Sequence, residues 1–393
     1  MAGKIALALG DYANNYGTVL QAFATFHKVR SLGYDAEAID FTHLKKSIRN
    51  RKLRYFAGKL FDASVVREKS QIVLSRLHRL LHSDYRHGNS RRTKLFDQFR
   101  REYIKRSRPF TDWDDLSRSC REYSAVLVGS DQVWLPSQIA ADFFTLNFVP
   151  DDVKRISYAS SFGVPYIEPS QEERARKFLT RINHLSVREK SGQEIIRRIT
   201  GRDAELVCDP TLLLSADEWD AALCNGNSTE WGGANYLLCY FMGVNEWHRK
   251  FARELARKFS LKVIALPHLD QYVAFDENGY ADEMPYDVSP ADFIKLVKNA
   301  RYICTDSFHG TMFSLIYGKD FFTFRRFSGK WTLSTNTRID SIAGKLNIQS
   351  RIVSEADTPE AMLSRDYDAQ AVQERLQDFR ASSLEFLKHS LEA

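Results

Sequence analysis

Residues 300–327, ARYICTDSFHGTMFSLIYGKDFFTFRRF, constrain the fold more than any other stretch. Tyr302, Ile303 and Cys304 make a short apolar run of the kind a buried strand shows, and Thr305, Asp306 and Ser307 break it. Met312, Phe313, Leu315, Ile316 and Tyr317 then take up helical spacing and stop at Gly318, a C-cap residue. Phe321, Phe322 and Phe324 read as the next strand. Strand, tight polar turn, helix and strand are the repeating unit of a parallel, doubly wound sheet. In such a sheet the turn after a strand meets the N-terminus of the next helix, where free amides and the helix dipole favour an anion. Ser307 and His309 stand in that turn, so this stretch predicts an anionic ligand beside His309.

The chain opens in the same way. Residues 3–9, GKIALAL, predict a strand, and residues 10–18, GDYANNYGT, a loop of turn formers. Val19, Leu20, Phe23, Phe26, Val29 and Leu32 form a helical stripe closed by Gly33, and residues 36–41 alternate as a second strand. The loop lacks the G-x-G-x-x-G spacing of a dinucleotide site and reads, on its own, as a plain turn.

Residues 123–128 predict a buried strand running into Gly129-Ser130-Asp131-Gln132-Val133-Trp134. A carboxylate, an amide and an indole at a strand's carboxyl end have the form of a substrate site. A short strand ends at Ser186-Val187, with Arg188 at its edge and a helix following through Ile199. In Asp209-Pro210-Thr211-Leu212-Leu213-Leu214 the proline ends a strand and the leucines pack, a structural role. Asn336-Thr337-Arg338-Ile339 opens a helix, with Asn336 as a cap and Arg338 solvated on the residues alone. The tail from Asp368 to Leu391 is one amphipathic helix, expected to cross back onto the first half.

The formal net charge of +6 is unevenly spread. Between His43 and Arg108 there are 20 Lys and Arg against 5 Asp and Glu, which leaves 36 against 45 elsewhere. Helically spaced apolar residues among those cations predict a basic helical insertion over 43–108. It reads as a solvated hairpin, or as a face toward anionic lipid or a diphosphate-linked acceptor. Nucleic acid is not expected as a partner, because the charge is confined to one region and no RNA- or DNA-binding module is visible. No apolar run approaches the roughly 18 residues of a spanning helix, and the expected location is the cytoplasm. The five cysteines lack C-x-x-C or Cys/His spacing, so no metal site is expected.

Taken in order, these turns resemble landmarks of the polysaccharide pyruvyl transferase family: the Gly10–Gly17 loop, the Gly129–Trp134 turn, Ser186–Ser191, Asp209–Leu214, the Ser307–Gly310 turn and Asn336–Ile339. The resemblance implies an α/β fold of two Rossmann-like domains facing across a cleft, the GT-B-like arrangement. It divides the chain into an acceptor-side domain over 1–168, a donor-side domain over 169–367, and a helix over 368–393 packing back on the first domain. The implied reaction is transfer of a pyruvyl group from phosphoenolpyruvate to a sugar, forming a ketal in cell-surface polysaccharide biosynthesis, with no cofactor or metal.

Donor binding would fall to Arg188, Ser307, Phe308, His309, Gly310, Asn336 and Arg338, and acceptor binding to Asn14, Asn15, Gly17, Gln132 and Trp134. His309 would contact phosphate and donate a proton, and Asp131 would receive the hydroxyl proton. A sugar linked to undecaprenyl diphosphate, met at the inner face of the membrane, is an acceptor that the basic region fits. Ser307 departs from the family, which often has arginine there; Arg338 or Arg325 is expected to supply the missing cation. Two other readings remain at this stage: a nucleotide-sugar glycosyltransferase of the same architecture, and a non-catalytic basic adaptor.

Overall fold

The computed structural model describes residues 3–57, 82–224, 235–267, 279–326 and 337–393. The first half builds a parallel sheet from β1 (Lys4–Ala8), β2 (Asp35–Asp40), β3 (Arg106–Pro109), β4 (Ala125–Val128) and β5 (Lys154–Ser157), in the order β3-β2-β1-β4-β5. The short strand β6 (Ser186–Val187) continues past β5 through the parallel bridges Ile156–His184 and Ser160–Val187, and pairs with β7 (Glu205–Leu206). With β6 included, the order is that of a Rossmann sheet. Its central strands are apolar on both faces because helices cover both, as parallel sheets require. Helix α1 (Tyr16–Ser31) covers one face with Val19, Leu20, Phe23 and Phe26.

The second sheet comprises β8 (Tyr236–Tyr240), β9 (Lys262–Ala265), β10 (Tyr302–Thr305), β11 (Asp320–Phe324) and β12 (Ile352–Val353), all parallel, in the order β9-β8-β10-β11-β12. This is the flavodoxin-like variant of the doubly wound sheet rather than the strict Rossmann order. Two doubly wound lobes facing across a cleft make the GT-B-like arrangement. Strand order reverses between β1 and β4 in one lobe and between β8 and β10 in the other. Ligands of open parallel sheets bind at such reversals. Here the two reversals meet: the amide nitrogen of Asn15, after β1, lies 3.7 Å from the sulfur of Met242, after β8.

Two expected boundaries move. The segment 43–108 is not simply an insertion, because β3 occupies its end and pairs with β2. Helices α2 (Lys45–Ala57) and α3 (Ser83–Tyr103) lie in the β2–β3 crossover, and residues 58–81 fall outside the described residues. Phe96 and Phe99 of α3 are buried in the main core. Burying two such rings contributes about 1.5–3 kcal/mol each, which holds the helix down despite its charge. Arg92 of α3 is 1 % exposed and donates to the carbonyls of Pro267, Pro285 and Tyr286 in the other lobe. Arg100, one face further along, donates to the carbonyls of Asp11 and Ala13 at 2.7 Å each. One helix thus ties the β1 loop to the second lobe.

The boundary expected at 168/169 also falls inside the first packing unit. Ala175, Phe178 and Leu179 of α4 (Pro169–Leu179), and Ile195, Ile196 and Ile199 of α5 (Lys190–Thr200), share a core with β4 and its neighbours. The second lobe carries α6 (Pro290–Asn299), α7 (Phe308–Ile316) and α8 (Thr337–Leu346). The last helix, α9 (Ala369–Glu392), is tied to both lobes: its Gln373 donates to the carbonyl of Leu315, and its Ser390 and Leu391 carbonyls accept from Lys154 of β5.

Candidate active site between the lobes

The site is assembled from strand ends. After β4 the chain turns sharply, leaving Asp131 at φ +74°, a left-handed conformation that costs a non-glycine residue energy. Its carboxylate accepts from the Thr18 hydroxyl at 2.8 Å and from Arg188 Nη2 at 3.1 Å. Arg188, at the end of β6, is 5 % exposed, and its Nη1 donates to Asp209 Oδ2 at 2.5 Å. Asp209 is buried; its second oxygen accepts the amide and hydroxyl of Thr211, and Ser130 donates to Oδ2 at 3.0 Å. From the other lobe, His309 Nε2 stands 3.5 Å from Asp209 Oδ2, an ion-pair distance rather than a formed hydrogen bond. Asp209 therefore joins the guanidinium of one lobe to the imidazole of the other.

Ser307 caps α7 by accepting from the Gly310 amide at 3.3 Å, and the buried Phe308 follows. The guanidinium of Arg188 lies 4.7 Å from that ring's centre and that of Arg338 5.7 Å, both cation–π distances. Arg338 is 8 % exposed and makes no hydrogen bond among the described residues; its Nε is buried without a partner. Its nearest carboxylate is Asp131, 3.9 Å away. Burial, and then the like charge of Arg188, push Arg338 down to about 9. A buried guanidinium without an acceptor is costly and calls for an anion.

The carboxylates divide by environment. Burial would raise Asp131, but Arg188, His309 and Arg338 outweigh it and hold it below its ordinary value. Burial likewise opposes, and His309 and Arg188 overcome, at Asp209, which lies far below the usual carboxylate range. Glu189 goes the other way: desolvation raises it although Arg188 is adjacent. Its Oε1 accepts from the Ser161 hydroxyl and the Phe162 amide, fixing the start of α5. At the carboxyl end of β10, Asp306 accepts the amides of Met242 and Gly243 and so fixes the turn after β8. Among the described residues, no group of three or more His, Cys, Asp or Glu side chains could hold a metal ion.

Comparison with known proteins follows from this geometry. A model of the family described as "Polysaccharide pyruvyl transferase" matches residues 15–326, most of the chain and every described element of the site except Arg338. The chain belongs to this family. A comparison with curated protein sequences gives no match. Among solved structures, the chain is similar to a UDP-GlcNAc 2-epimerase of Methanocaldococcus jannaschii in complex with UDP-GlcNAc and UDP, at 12 % identity and TM-score 0.48, covering 95 % of this chain and 99 % of that one. UGT89C1 of Arabidopsis thaliana, complexed with quercetin, gives 12 % identity and TM-score 0.47 over 100 % of both chains. A UDP-N-acetylglucosamine 2-epimerase of Rickettsia bellii gives 11 % and 0.45 over 98 % of both.

For a member of the pyruvyl transferase family, the structure sorts the expected site residues as follows. Arg188, Phe308, His309, Arg338 and Asp131 come together. Arg188 reaches the cleft from the first lobe's sheet rather than from the second lobe. Ser307 serves as a cap. Gly310 is small because a Cβ there would stand 2.3 Å from Thr305 Oγ1, so its role is packing. Asn336 lies outside the described residues.

On the acceptor side, Asn14 is bound to Thr93 and Arg100, and Asn15 caps α1 by accepting from Thr18. Gly17 packs on His309: a Cβ would fall 2.0 Å from Nδ1. Gln132 lines the first lobe's cleft. Trp134 does not; it is fully buried and donates to the Phe144 carbonyl at 3.1 Å, so it is a core residue. Arg325 is exposed and paired with Asp340 at 2.8 Å, and cannot replace the missing cation. Its neighbour Arg326 turns inward to the Asp306 carbonyl. Sequence reasoning missed Asp209, read there as structural. A carboxylate between a strand end and a proline was the available signal. Thr18, Ser130 and Glu189 carried none.

Proposed function

We propose that the cleft binds phosphoenolpyruvate between Arg188, Arg338 and His309, and transfers its pyruvyl group to a sugar as a cyclic ketal. The observation that carries this reading is Arg338, a buried guanidinium with no hydrogen-bond acceptor among the described residues, beside a second guanidinium and an imidazole. The donor's carboxylate and phosphate would meet the cations in charge-assisted bonds. His309 would contact the phosphate and protonate the methylene carbon, which becomes the methyl group. One sugar hydroxyl would add to the adjacent carbon, losing its proton to Asp131. The carbon–oxygen bond to phosphate would break, releasing inorganic phosphate. A second hydroxyl would then close the ring with loss of its proton. Asp131, held ionised, is suited to accepting a proton only as the hydroxyl's acidity rises in the transition state.

The acceptor on this reading is a precursor of a cell-surface polysaccharide, capsule or exopolysaccharide, carried on undecaprenyl diphosphate at the cytoplasmic face of the membrane. The basic 43–108 segment supports that placement. Among the described residues no helix is long and apolar enough to cross a membrane. No resident cofactor enters this scheme. The test is equilibrium binding of radiolabelled phosphoenolpyruvate to the wild type and to Arg188→Ala, His309→Ala and Arg338→Ala. Binding lost in all three supports the reading. Retention of a uridine or guanosine nucleotide sugar, with none of phosphoenolpyruvate, would replace it with glycosyl transfer.

A further inference from the structure

The site holds one carboxyl group more than its two guanidinium groups balance. Arg188 and Arg338 face Asp131 and Asp209, and both of those carboxylates are held ionised. A third carboxyl, that of Glu189, follows Arg188 directly and is 0 % exposed. The amide of the next residue, Lys190, donates to Ser341 Oγ at 3.3 Å, so the start of α5 meets α8, the helix that carries Arg338. The charges of Arg188 and Arg338 both act on Glu189.

The two oxygens of Glu189 stand in different surroundings. Oε1 accepts three times from the turn after β5: from the Ser161 hydroxyl at 2.9 Å, the Phe162 amide at 2.8 Å and the Gly163 amide at 3.4 Å. Oε2 is buried and has no hydrogen-bond partner among the described residues. Arg188 Nε, likewise without a partner, stops 3.9 Å away. In a neutral carboxylic acid one oxygen accepts and the other donates, so this division matches the acid better than the carboxylate. An ionised group would leave a charged oxygen buried and unbonded, a cost that such groups avoid by keeping their proton. Burial raises Glu189, and outweighs Arg188, the Ser161 hydrogen bond and Arg338, which pull the other way. The turn held by Oε1 reaches the acceptor side as well. A Cβ on Gly163, at φ +63°, would fall 2.4 Å from Gln132 Nε2.

We propose that Glu189 is a positioning residue of the donor site that works as a neutral acid, leaving the charges of Arg188 and Arg338 to an incoming anion. The proposal rests on the reading of the cleft as a phosphoenolpyruvate site, and adds to it a residue outside the donor's own contacts. Ionised, Glu189 would be the counter-ion that Arg338 lacks, and it would repel the donor's carboxylate and phosphate. With its proton, Oε2 becomes a donor without an acceptor among the described residues, as Arg188 Nε and Arg338 Nε are. A bound anion favours that proton further, so donor binding and protonation of Glu189 are linked. The proton stays on Glu189 through the reaction, whose proton transfers belong to His309 and Asp131.

The test compares wild type with Glu189→Gln, which keeps the shape of the neutral acid, with one oxygen to accept and one group to donate. Infrared spectroscopy of the ligand-free protein at neutral pH reads the proton directly. A carboxylic-acid carbonyl band should be present in wild type and missing from the variant. The variant should also fold with the wild-type thermal midpoint; a variant that fails to fold would mean that the charge of Glu189 is required, and would overturn the proposal. Calorimetric titration with phosphoenolpyruvate then reads the linkage. Affinities should agree within about twofold at mildly acidic pH and diverge as pH rises, wild type losing up to about tenfold per unit relative to the variant. Arg188, Arg338, Asp131, Asp209 and His309 are common to both proteins, so the difference between the curves belongs to Glu189. A role in packing alone would give no such divergence. Absence of the band, or curves that stay parallel across the range, would overturn the proposal. Phosphoenolpyruvate bound without the band would remove this inference alone. The band present in a protein that does not bind phosphoenolpyruvate would remove the donor reading, and this role of Glu189 with it.

Discussion

Asp209→Asn separates an organising role for Asp209 from a merely packed one. The substitution keeps shape and removes charge from a carboxylate 2 % exposed that serves Arg188, Ser130 and Thr211 and faces His309. Breaking a buried ion pair costs about 3–5 kcal/mol when the other charge is left alone. Arg188 retains Asp131 at 3.1 Å, so the lower end, about 3 kcal/mol, is expected. Urea unfolding at neutral pH measures it.

The pH dependence gives an independent sign. The folded carboxyl lies below its unfolded value, so its contribution is present above the ordinary carboxyl range, about 3.9. It is lost as pH falls through the depressed folded value, and Asp209→Asn should lack that acid limb. Binding of phosphoenolpyruvate should weaken as well, because the two donor-side groups lose their common anchor. A variant within about 1 kcal/mol of wild type, with unchanged donor affinity, would refute the argument.

Three shorter expectations accompany it. Gly17→Ala puts a methyl group against the His309 ring and should cost about 1–3 kcal/mol, as overpacking does, with a larger loss of turnover than of helix content by circular dichroism. Asp131→Asn should lower the single-turnover rate by about 10²–10⁴ while donor affinity is kept or improved; an unchanged rate would remove Asp131 as the base. Burial and the neighbouring Arg188 disfavour the charge on Arg338, and a bound anion relieves that cost. Saturating phosphoenolpyruvate should therefore raise the thermal midpoint of wild type but not that of Arg338→Met, and an equal rise would remove Arg338 as a donor contact.

Much of the α/β pattern was legible because apolar runs and periodicity report burial directly. The strands at Lys4, Ala125 and Tyr302 stand where their residues indicated. The strand Arg106–Pro109 was not legible: R-S-R-P has no apolar signal, and its place is fixed by pairing with β2. The charge of α3 concealed a core helix, since Arg92 and Arg100 look solvated until backbone carbonyls appear as their partners. Arg188 and His309 could be picked out because strand end and helix start coincide at each. That Asp209 couples them could not, since the coupling depends on three segments from distant parts of the chain. Trp134 was misjudged because position at a strand end does not fix which way a side chain points.

The most direct test is incubation of the protein with phosphoenolpyruvate and a phosphorylated acceptor glycan, followed by mass spectrometry and phosphate assay. The account predicts one pyruvate ketal gained per inorganic phosphate released, with both lost in Arg338→Ala. A glycan left unmodified in the presence of phosphoenolpyruvate, or extended by a sugar from a nucleotide donor, would contradict it.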